Sequence, residues 1–380
     1  MSRLAPIQKE NRVEIIDIIK GISLLGLFLT SLRSLSLYDP EQQGRFYSKL
    51  DDSVGFLLNL LVEGKFQAII CLLFGWGVSS QMSRIRSAGS SGSSFIRKRL
   101  WILFILGLLL SILLWSGDNI FFLALIGFFS IAFQYLSNRK ILQWSIILLL
   151  SPILLYMIKM AWQPMNYFSF LFDDFGDSLQ MSLGKMEPGS HVLHDHLAAS
   201  WPEYVRLNIG GIFYHVSDLF FTSAFSKTLG MFILGFMLGR GSYFKKLIES
   251  PVRLMKITAI GFCIGLLFNA LMARYIDNVH QYYYLRVSGL YQTITAALGV
   301  APLAVAYMTA LAVLNETQGV NKFLRIFKPA GQMMFSNYIL QLLFAMYMFQ
   351  GFGAAWGGHF GPVAWLMFAM VVFVFQLVFS

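Results

Sequence analysis

The chain has 380 residues, 57% of them hydrophobic and only 13% charged, with a mean hydropathy of +0.63. A soluble globular domain carries about 25% charged residues, so composition excludes a soluble enzyme or binding module and implies an all-α, polytopic transmembrane helical bundle. The net charge of +10 does not require nucleic acid, because the cytoplasmic loops of membrane proteins accumulate Lys and Arg.

Ten candidate spans are read in chain order, at 14–36, 54–82, 97–116, 119–137, 141–161, 217–239, 254–275, 287–314, 330–350 and 361–380. They make residues 1–380 one integral membrane domain, with a long external loop at 162–216 between spans five and six, part of which reads as amphipathic interfacial helix. Taking the N-terminal tail and every second loop as cytoplasmic places eighteen Lys and Arg on that side and eight on the other. This bias, led by "RIRSAGSSGSSFIRKR" at 84–99, puts both termini in the cytoplasm. The N-terminus does not read as a cleaved signal, since Asp17 and Lys20 interrupt the apolar run.

The first span, "VEIIDIIKGISLLGLFLTSL", carries charge where a bilayer makes it costly. Asp17 and Lys20 are three residues apart and share a helix face. Ser31 follows Lys20 by about 1,100° of helix rotation, on nearly the same stripe roughly 16 Å further along. These three are candidate site residues; the plain alternative is a snorkelling lysine with an anchoring role. In the second span, Glu63 and Lys65 are two apart and point to different faces, so each needs a partner from another helix or from water. A structural ion pair is the alternative for Lys65.

Between spans three and four, "LLWSGDNIFF" is too short for a free loop. Asp118 at its tip lines a site, caps the following helix, or is solvated. The external segment contains "HVLHDH", with His191, His194, Asp195 and His196. It lacks H-E-x-x-H and reads as an exposed loop, so no metal is expected, and one His remains a candidate base. "PAGQMMFSNYILQLLF" opens span nine with Gln332, Ser336, Asn337 and Tyr338. Gln332 and Ser336, four apart, share a face there, either as a site or as glue between helices. Only Cys71 and Cys263 occur, each in an apolar run, which argues against a disulfide framework.

The motifs "RVEIIDIIKGISLLGLFLTSL", "GKFQAIICLLFGWG", "RKRLWILFILGLLLSILLWSGDNIFFLALIG", "LGMFILGFMLGR" and "AGQMMFSNYILQ", in this order, resemble the YeiB-like family of bacterial inner-membrane proteins, a domain of unknown function. The resemblance implies a grouping with the transmembrane acyltransferases, among them acyltransferase-3 and the heparan-α-glucosaminide N-acetyltransferases. Such enzymes pass an acyl group from cytosolic acyl-CoA to an acceptor across the membrane. Acyltransferase-3 proteins carry an Arg and a His where this chain has Lys20 and Ser31. YeiB-like relatives have a third-span His where it has Leu110.

The resemblance thus implies acyl transfer to an external hydroxyl or amine. Asp118, Lys65 and Ser31 would be the catalytic group, and Asp17, Lys20, Glu63, Arg97, Arg99, Gln332, Ser336 and Asn337 would hold donor or acceptor. Acyl-CoA is the expected donor, with Arg97 and Arg99 meeting its phosphates, and the bilayer is the expected partner. A transporter of a small or lipidic solute and a non-catalytic scaffold are the alternatives, and the oligomeric state stays open.

Overall fold

Glu14–Leu35 form α1, an apolar run whose first turn carries Glu14 and Asp17 and whose last carries Arg33. That arrangement of acids and base suits the helix dipole. The structure is a computed structural model, and it describes residues 14–38, 48–87, 92–182, 192–240, 247, 250–274 and 285–380. Within its apolar window α1 is 67% buried, against 22% for the helices Asn138–Ala161 and Pro251–Ala273. The first helix is therefore the centre of the bundle, and those two lie at its edge.

After α1 come α2 (Lys49–Leu61), α3 (Lys65–Ser87), α4 (Gly92–Leu113) and α5 (Ile120–Ser130), the last running on as a 3-10 turn to Tyr135. Then follow α6 (Asn138–Ala161), α7 (Tyr167–Ser182), α8 (Val192–Ala198), α9 (Trp201–Phe221) and α10 (Ala224–Leu238). The chain closes with α11 (Pro251–Ala273), α12 (Val287–Asn315), the short α13 (Val320–Leu324) and α14 (Lys328–Gln332), α15 (Met334–Phe349) and α16 (Pro362–Phe379). No strand occurs among the described residues.

The all-α reading holds, and each of the ten expected spans falls on helix. By length and composition, six described segments are able to cross a membrane, or seven if α9 and α10 count as one. The other expected spans are met by shorter, more charged or interrupted helices. Two boundaries are corrected. The second span breaks at 62–64, where Gly64 has φ 76°. The sixth begins inside α9 and turns through 74° before α10. The external segment, 162–216, expected to be helical in part, contains the helices α7 and α8 and most of α9.

Two backbone contacts tie remote helices together. A Cβ on Gly75 of α3 would lie 1.9 Å from the carbonyl oxygen of Phe232, and one on Gly235 of α10 1.8 Å from that of Leu72. Only glycines allow α3 and α10 to approach so closely.

The bundle has two polar ends. At one, Glu14 meets Arg325 and Lys328, each at 3.0 Å. There too, Arg240 donates to the carbonyls of Phe133 (2.8 Å) and Leu136 (2.5 Å). These are segments that the Lys and Arg bias assigns to the cytoplasm. At the other end, Gln350 Nε2 donates to the carbonyl of Leu35 at 3.3 Å, and the amide of Val363 donates to Asp51 Oδ1 at 2.8 Å.

Candidate functional site

A cavity of about 450 Å³ lies between α1, α3, α9, α10 and α12. Its wall forms where two helices are interrupted, with Glu63 and Gly64 at one break and Thr222 and Ala224 at the other. An interruption frees carbonyls that lipid cannot hydrogen-bond, so protein must satisfy them. A buried lysine does this at each break. Lys65 Nζ donates to the Asn59 carbonyl at 2.6 Å, and Lys159 Nζ donates to those of Phe220 and Phe221, both at 2.7 Å. Ser223 takes a left-handed backbone, φ 55°, to complete the second break. The first turns of α3 and α10 thereby face the cavity with Gln67 and Lys227.

Arg33, Glu63, His215, Asp218 and Lys227 are the ionisable groups on this wall. Arg33 Nη1 donates to Asn59 Oδ1 at 3.1 Å. The charges of Asp218 and Glu63 both act on Lys227. Neither the Lys227 ammonium nor the Glu63 carboxylate makes a hydrogen bond or ion pair among the described residues. His215 and Asp218 are three apart on α9, and the carboxylate acts on the imidazole. Nε2 of His215 is sealed from solvent without a hydrogen-bond partner. The edge of Phe121 packs against the ring, centroids 6.1 Å apart.

The residues singled out in the sequence fall in several places, and of the catalytic and binding candidates only Glu63 lines this cavity. Lys20 Nζ lies 3.3 Å from Asp17 Oδ1, the pair expected from their spacing, and Gln332 Nε2 donates to Asp17 Oδ2 at 3.4 Å. With Glu14, Arg325 and Lys328 they form a polar cluster at the opposite end of the bundle. Lys65 is fully buried and engaged with the Asn59 carbonyl, and Ser31 is buried outside the cavity lining. Arg97 and Arg99 lie exposed at the start of α4, Arg99 donating to Gln81.

Asp118 is neither solvated nor on the cavity wall. It is fully buried, accepts from the Tyr338 hydroxyl at 2.6 Å, and caps α5 through the Ile120 amide at 3.2 Å. Burial pushes its carboxyl up to about 6, against the downward pull of the Tyr338 hydrogen bond and of the Ile120 and Asn119 amides. Gln332 closes α14 and Ser336 lies in the first turn of α15, with Met333 between the two helices. Ser336 is exposed, whereas Asn337 is buried and donates to Ser380 Oγ at 2.9 Å. Asn337 continues as a ladder, its carbonyl accepting from Gln376 Nε2 at 2.7 Å, while Gln341 Nε2 donates to Gln376 Oε1 at 2.9 Å. This is the helix-joining role expected as the alternative.

His191 and the side chain of His194 lie outside the described residues. His196 is not in an open loop. It lies in the last turn of α8, with Nδ1 3.1 Å from Gln350 Oε1 and its ring against Tyr204, and burial lowers its pKa. Sequence reasoning missed His215, Asp218 and the role of Lys227. The signal was an ionisable pair at helical spacing inside the otherwise apolar "GIFYHVSDLFF", hidden because the expected boundary at 216/217 put His215 in the external segment and Asp218 in span six.

Residues 238–380 match the family described as "Protein of unknown function (DUF418)". The whole chain is similar to "Uncharacterized protein YxaH" of Bacillus subtilis (strain 168), 23% identical over 401 aligned residues that cover 100% of this chain and 92% of that protein. A 117-residue stretch, 30% of this chain, is 27% identical to 28% of "Uncharacterized protein YeiB" of Escherichia coli (strain K12). No solved structure matches. The YeiB-like resemblance read from the motifs is borne out by these matches, and the relatives are bacterial.

Proposed function

We propose that this multi-pass protein is a bacterial inner-membrane acyltransferase, which takes an acyl group from cytosolic acyl-CoA and delivers it to an acceptor held in the cavity. One observation carries the reading: His215, with Asp218 one turn along, stands at the wall of a cavity large enough for a small molecule. A carboxylate beside an imidazole is the pairing that orients a general base. Neither Ser31 nor Leu110 supplies an imidazole, and His215 does.

In this reading His215 takes the proton from the acceptor hydroxyl or amine as its oxygen or nitrogen attacks the thioester carbonyl. The carbon–sulfur bond breaks, and CoA leaves as the thiol with that proton returned to sulfur. Lys227 offsets the negative charge that gathers on the carbonyl oxygen. Arg97 and Arg99, exposed near the start of α4, meet the phosphates of the donor. Lys65 and Lys159 hold the broken helices open.

A second reading, a solute carrier, is favoured by the 74° break between α9 and α10, because discontinuous helices surround the binding sites of many transporters. Purified protein in nanodiscs, given labelled acyl-CoA, tests the first reading. His215→Ala should slow acyl release about a hundredfold or more while thermal unfolding stays close to wild type. Equal rates for both proteins would refute it, and uptake of solute into proteoliposomes without acyl-CoA turnover would favour the carrier.

A further inference from the structure

We infer that the cavity takes a small zwitterion, a molecule carrying a primary ammonium and an anionic group a few bonds apart. The inference deepens the acyl-transfer reading and rests on the same cavity: as acceptor, the molecule gives the first proton of its ammonium to Glu63, and His215 takes the second as the freed amine attacks the thioester. The Glu63 carboxylate and the Lys227 ammonium line one cavity, and among the described residues neither side chain makes a hydrogen bond or a close ion pair, although Glu63 and Asp218 act on Lys227 across the space and Glu63 acts on Lys65. A charge at membrane depth is costly unless it meets a counter-charge. Two opposite charges that act on each other across the cavity without touching suit an occupant that brings each a close partner.

The surroundings divide accordingly. Lys227 stands in the first turn of α10, whose free amides add positive potential, and Arg33 lies on the same wall. This side suits a carboxylate or phosphate. Glu63, with Asp218 on the same wall, suits an ammonium. An ion of one sign would give a close partner to only one of the two, and a neutral polyol would give a charged partner to neither. The volume, about 450 Å³, is at the small end for ligand sites. An amino acid fits this description, and so does the phosphoethanolamine headgroup of a lipid.

Thermal unfolding of the full chain in phosphatidylglycerol nanodiscs tests the inference with millimolar glycine, ethanolamine phosphate, N-acetylglycine, methylamine and glycerol. A ligand that binds only the folded state raises the unfolding temperature by mass action. Glycine or ethanolamine phosphate should raise it, and the three that lack one or both charges should not. Glu63→Gln and Lys227→Gln should each weaken the zwitterion roughly tenfold or more. If either variant fails to fold, the wild-type comparison still decides.

Loss of the shift in phosphatidylethanolamine nanodiscs, where the headgroup already fills the site, identifies the lipid as the source; a shift in both identifies a soluble solute. Glycerol as effective as the zwitterions, or no shift with any compound, overturns the inference. Acyl transfer to acceptors that carry no charge would overturn it while sparing the acyltransferase reading. Zwitterion binding without acyl-CoA turnover would do the opposite.

Discussion

The Tyr338 hydroxyl donates a 2.6 Å hydrogen bond to Asp118 Oδ1 and so ties the hairpin between α4 and α5 to α15. Burial keeps the Asp118 carboxyl protonated up to about pH 6 in the folded protein, whereas an unfolded Asp titrates near 3.9. The folded state therefore binds more protons between these values, and stability falls as pH rises through them. Detergent-solubilised wild type should lose unfolding temperature from about pH 4 to pH 6, and Asp118→Asn should flatten that decline. Tyr338→Phe, which removes a hydrogen bond that favours the carboxylate, should move the decline to higher pH. A wild-type profile identical to that of Asp118→Asn would refute the assignment.

Backbone contact between α3 and α10 makes a second expectation. Gly235→Ala places a methyl group on the Leu72 carbonyl, and the helices must separate, at a cost of about 1–3 kcal/mol or more. Gly77→Ala is the control, since nothing lies within 4 Å of the added carbon. Chemical unfolding of both variants measures the difference; equal stabilities would show that the helices part freely.

Lys159 holds the end of α9. Lys159→Met leaves the Phe220 and Phe221 carbonyls without their donor, which costs about 1–3 kcal/mol for each group left unsatisfied. Hydrogen exchange should quicken at the amides of 218–224 before the rest of α9. Exchange that rises uniformly over the bundle, or not at all, would show that the break does not depend on this lysine.

Orientation is open to direct measurement. In a background with Cys71 and Cys263 replaced by Ser, a cysteine at Ser87 should resist an impermeant thiol reagent in whole cells, and one at Ser200 should react. Both positions are exposed in the fold. The reverse pattern would invert the assignment drawn from the Lys and Arg bias.

Helix positions were legible because a span is written locally, as a run of apolar side chains. Asp17 and Lys20 were legible for the same reason: residues three apart on one helix meet whatever surrounds them. The breaks were not. The chain around Thr222 and Ser223 is apolar on both sides and carries no proline, and what stabilises its bend is Lys159, from another helix. Asp118 showed a related limit. Its sequence neighbours announced a helix cap, which it is, but not the hydroxyl of Tyr338, which arrives from the far end of the chain. His215 was hidden by the acidic stretch before it, which made 162–216 look too polar to enter the bundle.

The glycine contact between α3 and α10 also bears on the order of synthesis. The ribosome completes α3 long before α10 exists, so the face around Gly75 is inserted with its partner still unmade. Until then, lipid or a neighbouring chain occupies the groove that Phe232 later fills. Fragments that stop before α10 keep this groove open and should associate with one another, whereas fragments that reach Leu238 should not.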